Sequence, residues 1–199
     1  MNRPGTYTDA GQAFPIYITV VAGLLFLALA YLAVGQATVN RSGAQTAADA
    51  AALAAAQNER DQLTAQWINV VPDPTKWQDI FEGKVPFDDP CWRARQLAAQ
   101  NDAQLNTCFP PHLLKYRVDV QTNKSVGRSV VPGSEDFKAK ASATAEIDPL
   151  CTFKLPEEGA TGDELPDLTC RDKVWHLKPD DSAGLPKPED LFDVHLADS

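Results

Sequence analysis

The chain opens with a long, uninterrupted apolar stretch. No charged residue stands between Asp9 and Arg41, and the segment Phe14–Val34 reads FPIYITVVAGLLFLALAYLAV. A helix of these 21 residues would be about 31 Å long, which is close to the thickness of the hydrocarbon core of a bilayer. The pattern therefore predicts a transmembrane helix over residues 13–35, preceded by a short polar tail over residues 1–12.

A cleaved signal peptide is the alternative interpretation of this stretch. The small residues Gly35 and Ala37 could form a cleavage site. However, the apolar run exceeds the about 7–15 residues of a signal core, and Arg3 alone supplies positive charge before it. Since the pattern after the run continues as helix instead of breaking at a turn, an uncleaved anchor is favoured.

The apolar run passes directly into an alanine-rich segment. Eight of the ten residues in 47–56 are alanine, which is the best helix former. Leu63 and Trp67 stand four residues apart on one helix face, and Pro72 marks the end of the pattern. We expect one nearly continuous helix from about residue 14 to about residue 67, of which residues 36–67 form a stalk.

Helical patterns continue into the first part of the remaining chain, residues 68–199. A short helical turn is predicted near residues 76–82. A further helix is expected to open at Asp88-Asp89-Pro90, because an acidic cap followed by proline is typical of a helix start. This helix is expected to end near Asn106.

The periodicity then changes to two, which is typical of half-buried strands. The first strand covers residues 116–120, and the second runs from Phe137 to Ile147 with alanine at the four inward positions between these two residues. Such a flat face suits direct packing against the alanine-rich helix. Short strands are also expected at 174–177 and, at a sheet edge, at 191–196, with loops at 124–133 and 155–167. The predicted fold class is α+β, a pilin-like lollipop with a small antiparallel sheet.

Four cysteines indicate the compartment of the C-terminal domain. They form no C-x-x-C pair, and no histidine lies at zinc-ligand spacing from them. Two local disulfides, Cys91 with Cys108 and Cys151 with Cys170, are therefore predicted, with four buried free thiols as the alternative. Disulfides require an oxidising compartment. We therefore expect a single-pass protein of the cell membrane, with its N-terminus in the cytoplasm and its C-terminal domain outside the cytoplasm.

Charge and the remaining side chains exclude several functions. The net charge of −9 belongs to the part beyond the span, and disfavours binding to nucleic acid and to anionic lipid head groups. His112, His176 and His195 lie in different segments, and no metalloprotease, nucleophile-elbow or phosphate-loop motif is present. The acidic clusters at 157–158, 163–164 and 180–181 lack the spacing of a calcium loop. We predict no catalytic residue, metal or cofactor, and no enzyme activity.

The segment GQAFPIY before the span and AQTAADAAALAAA after it resemble the N-terminal module of TadE/TadG-like Flp-pilus-assembly proteins over about residues 9–57. The resemblance implies a role in building Flp-type pili or the related Tad secretion apparatus, without a cofactor. The partners would be the membrane, pilin subunits or other Tad proteins, and a second copy bound through the N-terminal helix. The implied assembly surface consists of Gln45, Ala47, Ala48, Asp49, Ala51, Ala52 and Leu53. Asp49 is either a solvated residue or a polar partner for a neighbouring subunit.

The sequence departs from this family in three respects. Flp-class prepilins and TadE-like pseudopilins are cleaved after a glycine and carry Glu and an aromatic residue at mature positions five and six. Here the possible processing site is Gly11-Gln12, and those positions hold Ile16 and Tyr17. The missing Glu argues against a major pilin. The D-x-S-x-S metal motif that TadG-like proteins often carry is absent, and the family module does not imply the two disulfides.

These features lead to three hypotheses from different functional classes. The first is a structural or assembly protein of a Flp/Tad-type apparatus, similar to a minor pseudopilin. The second is a single-pass, membrane-anchored binding protein, an adhesin or a cell-wall contact, with no pilus role. The third, a tethered enzyme with an unrecognised site, has the least support from the residues.

Overall fold

The computed structural model describes residues 13–125, 136–155, 165–178 and 184–197. A single helix, α1 (Ala13–Asn69), contains both the apolar run and the alanine-rich segment, as the sequence predicts. Its 57 residues correspond to a length of about 85 Å. Among the described helices, the stretch Phe14–Leu32 of α1 is long and apolar enough to cross a membrane, with a mean hydropathy of 2.2 and no residue buried.

In the described part of the chain, three short helices follow α1. A 3₁₀ turn at Pro74–Lys76 leads into α2 (Trp77–Phe81), which confirms the helical turn predicted there. The next helix is α3 (Cys91–Gln100), and α4 (Pro188–Leu191) lies near the end of the chain.

The predicted end of α3 near Asn106 is wrong by about two turns. The chain leaves the helix after Gln100 because Asp102 adopts a left-handed conformation with φ of 54°, which aspartate tolerates better than most residues. The strand β1 (Ala103–Phe109) then begins directly. The alternation of inward Ala103 and Leu105 with outward Gln104 and Asn106 is the strand signal in this segment.

The main sheet is antiparallel throughout and has four strands. Besides β1 it contains β2 (Lys115–Ser125), β3 (Lys138–Pro149) and β7 (Phe192–Leu196), in the order β1-β2-β3-β7. The predicted strands at 116–120 and 137–147 correspond to β2 and β3, and the predicted edge strand at 191–196 corresponds to β7. The pairing β2–β3 sets Val118 opposite Ala143 and Val120 opposite Ala141.

A second, small antiparallel sheet contains β4 (Cys151–Thr152), β5 (Leu168–Cys170) and β6 (Lys173–Trp175). The strand predicted at 174–177 overlaps β6, while β4 and β5 are too short to leave a periodic signal. Most of the two predicted loops, residues 126–133 and 156–164, lies outside the described residues.

The core lies between α1 and the main sheet, and it changes in thickness along the helix. Near the apolar part of α1 it consists of alanines from α1 and β3. At the far end it is a cluster of aromatic rings, with neighbouring ring centroids 5.1–6.5 Å apart, formed by Trp67, Trp77, Phe81, Phe153 and Phe192. The helix thus lies flat on the sheet along its alanine segment, and the larger rings close the distal end.

Candidate assembly surface on the alanine-rich helix

The alanine segment of α1 has one face that is completely buried within this chain. Six alanines repeat at helical spacing on that face, and none of their surface is exposed. These are Ala47, Ala48, Ala51, Ala52, Ala55 and Ala56. Because each carries only a methyl group, the helix backbone can approach the sheet closely, and β3 meets it with alanines of its own. The four predicted assembly residues Ala47, Ala48, Ala51 and Ala52 therefore pack against the chain's own sheet.

The opposite face of the same segment remains open. Thr46 and Gln57 are exposed, and Ala50 and Leu53 are half-buried between them. The spacings of four, three and four residues place all four side chains on one side of the helix. We call these residues the outer stripe. It is a narrow surface in which Leu53, itself partly packed against the core, stands among small and polar side chains.

Asp49 and Gln45 border an open groove between α1 and the sheet. The Gln45 Nε2 atom donates a hydrogen bond to Asp49 Oδ1 at 2.8 Å and lies 3.4 Å from the backbone oxygen of Ser142. The groove has a volume of about 450 Å³, and Arg117 and Thr144 line its other side. Asp49 therefore has a partner within its own helix and also faces a polar space that a second molecule could enter.

A buried acid lies on the inner face of α1, one turn beyond the alanines. Glu59 is 1% exposed, and its Oε2 atom has no hydrogen-bond partner among the residues that the structure describes. Burial raises the pKa of Glu59, and the hydrogen bond from the Tyr116 hydroxyl opposes that shift. Burial and the nearby Glu59 charge raise the pKa of Tyr116. The sequence indicates that Glu59 lies on the buried face of α1, because it stands four residues before Leu63 and eight before Trp67.

The cysteines pair as the sequence predicts. Cys91 at the start of α3 is joined to Cys108 on β1, and Cys151 on β4 is joined to Cys170 on β5. The second pair stands directly opposite in the ladder of the small sheet. Each bond therefore links two neighbouring elements of the domain, and no cysteine is free.

Several other candidate residues lie apart or outside the described part of the chain. His176 Nδ1 lies 2.7 Å from Asp167 Oδ1, His195 lies near Asp148, and His112 is exposed. Within the described ranges, no group of three or more histidines, cysteines or acidic residues could hold a metal ion. The possible processing site Gly11-Gln12 and the acidic clusters at 157–158, 163–164 and 180–181 fall outside those ranges.

The family comparison concerns the same helix. Residues 11–58 match the family model Tad, described as "Putative Flp pilus-assembly TadE/G-like". This TadE/G-like module begins before the apolar run and ends just before Glu59, so it covers the candidate span, the buried alanine face and the outer stripe. The resemblance inferred from the alanine–aspartate pattern is thereby confirmed. No curated protein and no solved structure matches the chain.

Proposed function

We propose that this chain is a membrane-anchored structural protein of a Flp/Tad-type pilus or Tad secretion apparatus, with a role similar to that of a minor pseudopilin. The observation that carries the proposal is the TadE/G-like module over residues 11–58. Its apolar part, Phe14–Leu32, is long enough to span a bilayer, and none of its residues is buried. An anchoring and assembly role, and not an enzymatic one, agrees with this family.

The orientation in this proposal places the N-terminus in the cytoplasm and the domain outside it. Its support comes from the bonds Cys91–Cys108 and Cys151–Cys170, because disulfides persist in oxidising compartments and are rare in the cytosol. The chain crosses the membrane once in this arrangement.

Assembly in this proposal uses the outer stripe. The inner alanines are already occupied by the chain's own sheet, so the side of α1 that stays open to other subunits is the one carrying Thr46, Ala50, Leu53 and Gln57. Small side chains let a second helix approach closely. The partner is a pilin subunit, another Tad component or a second copy of this chain, and Asp49, which faces the neighbouring groove, is suited to orient it.

The experiment compares tryptophan substitutions on the outer stripe with one elsewhere. Thr46→Trp and Gln57→Trp place a large ring on the stripe, whereas Gln104→Trp places one at an exposed position of β1. Each variant is expressed at its native locus, and partner co-purification and pilus number are measured. We expect both stripe variants to lose partners while keeping the thermal unfolding midpoint of the parent, and the control variant to assemble normally.

Normal assembly of both stripe variants would contradict this mode of assembly. If deletion of the gene also left pilus number unchanged, the membrane-anchored binding protein without a pilus role would replace the proposal. Anchoring is tested separately by a carbonate wash, after which the chain should stay in the membrane pellet. Release of an intact domain beginning near Gln36 would identify the apolar run as a signal peptide.

A further inference from the structure

The end of β2 lies beside the end of the candidate span. A groove between this strand and the helix is lined by Tyr31 and Leu32 of α1 and by Lys124 and Ser125 of β2. Since the span candidate covers Phe14–Leu32, these two β2 residues lie at the level where the apolar part of the helix ends. This end of the domain is therefore its membrane-proximal end.

The start of β3 lies at the same level. Lys138 pairs with Ser125 of β2, and Lys140 lines a second groove together with Arg41 of α1. Arg41 is nine residues beyond Leu32, which is about 14 Å along a helix. The polar headgroup layer on each side of a bilayer is about 5–8 Å thick, and charges interact over a further 8 Å or so at physiological salt. All four cations thus lie within reach of a headgroup layer.

This end of the domain is cationic, although the chain as a whole is acidic. Arg41, Lys124, Lys138 and Lys140 are all exposed. Among the described residues, the carboxylates nearby are those of Asp102, whose Oδ2 lies 3.3 Å from Lys124 Nζ, and of Asp136, which precedes β3. Four cations against these two carboxylates leave an excess of two positive charges. Because the ion pair with Asp102 is exposed, it holds Lys124 only weakly.

An exposed aromatic side chain adjoins these cations. Phe137 immediately precedes Lys138 and is 66% exposed. Of the described aromatic residues on the main sheet, Phe109 is also exposed, whereas Tyr116 and Phe192 are almost completely buried. An apolar ring beside lysines is typical of segments that lie at a membrane–water interface. Burying the ring in the headgroup layer would remove it from water.

We propose that Lys124, Lys138 and Lys140, together with Arg41, bind the phosphate groups of anionic lipids in the leaflet next to the domain, while the ring of Phe137 is buried in the headgroup layer. We call this set the basic membrane face. The proposal rests on the anchoring of α1 in a bilayer. It differs from the expectation drawn from the net charge of −9, because the negative charge is not spread evenly over the domain. Binding would fix the tilt of the domain on the membrane and hence the direction of the outer stripe.

The experiment measures lysine reactivity in the full chain reconstituted in nanodiscs. Three preparations are compared: zwitterionic lipid, lipid containing about one third anionic phosphatidylglycerol, and zwitterionic lipid with added inorganic phosphate. A neutral amine-reactive reagent is applied, and the rate at each lysine is read by mass spectrometry. We expect the reaction rates at Lys124, Lys138 and Lys140 to fall by about threefold or more in the discs that contain phosphatidylglycerol, and not in the other two preparations. This difference should shrink at high salt.

Lys76, Lys84 and Lys154 serve as internal controls, because they lie beyond the far end of α1 or next to the distal aromatic cluster, and their rates should not change. In nanodiscs, the domain should lose its preference for anionic over zwitterionic lipid in the variant Lys124→Gln/Lys138→Gln/Lys140→Gln. It should keep this preference in the control variant Lys76→Gln/Lys84→Gln/Lys154→Gln. Equal rates in zwitterionic and anionic discs, or equal slowing by free phosphate, would overturn the proposal. Failure of the chain to enter any disc would instead overturn the anchoring on which it rests.

Discussion

The hydroxyl of Tyr116 on β2 donates a hydrogen bond to the carboxylate of Glu59 on α1, inside the domain and just beyond residues 11–58, which match the TadE/G-like family model. Glu59 is a buried acid whose second oxygen has no hydrogen-bond partner within the described part of the chain. Burial of an acid without a counter-ion costs stability in its ionised form. The pair therefore joins helix to sheet at a position where an apolar residue would be less costly.

The first prediction concerns the pH dependence of stability at Glu59. Its pKa is raised above 4.5 in the folded state, mainly by burial. The folded state therefore binds the proton more tightly than the unfolded state, and this contribution to stability is full below pH 4.5 and is lost as the pH rises through the folded pKa. At a pH above the folded pKa, each unit by which burial raises this pKa lowers the free energy of unfolding by about 1.4 kcal/mol.

The substitution Glu59→Gln keeps the shape and removes the charge, so it should raise the free energy of unfolding at pH 8 and leave it nearly unchanged at pH 4. Denaturant unfolding in detergent micelles, followed by tryptophan fluorescence at several pH values, measures this difference. Asp119 provides the opposite case, since hydrogen bonds from Ser142 and Thr107 lower its pKa. Its contribution is lost as the pH falls below 3.8, outside the Glu59 window. A Glu59→Gln variant less stable than the parent at pH 8 would refute the assignment.

The second prediction concerns Gly83, which has a φ of 68° and lies over the Glu59 carboxylate. A Cβ atom there would lie 2.8 Å from Leu114 Cδ2, and the Leu114 backbone is held by a hydrogen bond from the Ile147 amide at 2.8 Å. Gly83→Ala should therefore lower the free energy of unfolding by about 1–2 kcal/mol.

Gly43 provides the matched control for this substitution. It lies within α1, and an added Cβ would meet nothing within 4 Å. Gly43→Ala should be neutral or stabilising by up to about 1 kcal/mol, because alanine favours the helix. If the two variants had equal unfolding midpoints, the close contact between Gly83 and Leu114 would not be a constraint on the fold.

The long, regular elements of this fold could be predicted from the sequence, and the irregular ones could not. The apolar run and the alanines define α1, and alternation over eleven residues defines β3. By contrast, the sequence predicts that α3 continues into the residues of β1, since the change from helix to strand depends on a single left-handed residue, Asp102. The outer stripe could also be located only from the structure. Alanines lie all around the helix in 47–56, so the sequence alone does not reveal which side the sheet covers.

The third prediction uses this difference between the two sides of α1. Ala51 is 0% exposed against the sheet, whereas the adjacent Ala50 is half-buried on the outer stripe. Ala51→Leu should lower the free energy of unfolding by about 1–3 kcal/mol, because the added atoms separate helix from sheet. Ala50→Leu should change it by no more than about 0.5 kcal/mol. Equal effects in denaturant titrations of the two variants would contradict the orientation of the helix.

The fourth prediction concerns the disulfides. Cys91 and Cys108 are 17 residues apart in sequence, and Cys151 and Cys170 are 19 residues apart. Closing loops of this size stabilises a domain by about 3 kcal/mol in the chain-entropy model. The double variants Cys91→Ser/Cys108→Ser and Cys151→Ser/Cys170→Ser should each lose about this amount, as measured by denaturant unfolding without reductant. Replacing both partners of a pair avoids leaving an unpaired thiol.

The same disulfides bear on the compartment of the domain. Non-reducing peptide mapping of the chain purified from membranes should recover the peptide pairs 91 with 108 and 151 with 170. Both local pairs connect adjacent elements, α3 with β1 and β4 with β5, so a crossed pairing would require a different packing of the domain. Four free thiols in protein from its native membrane would remove the main support for an extracytoplasmic domain, since a reducing compartment keeps cysteines in that state. Recovery of the local pairs only after air exposure of the extract would have the same consequence, so the thiols should be blocked with an alkylating reagent before the cells are lysed.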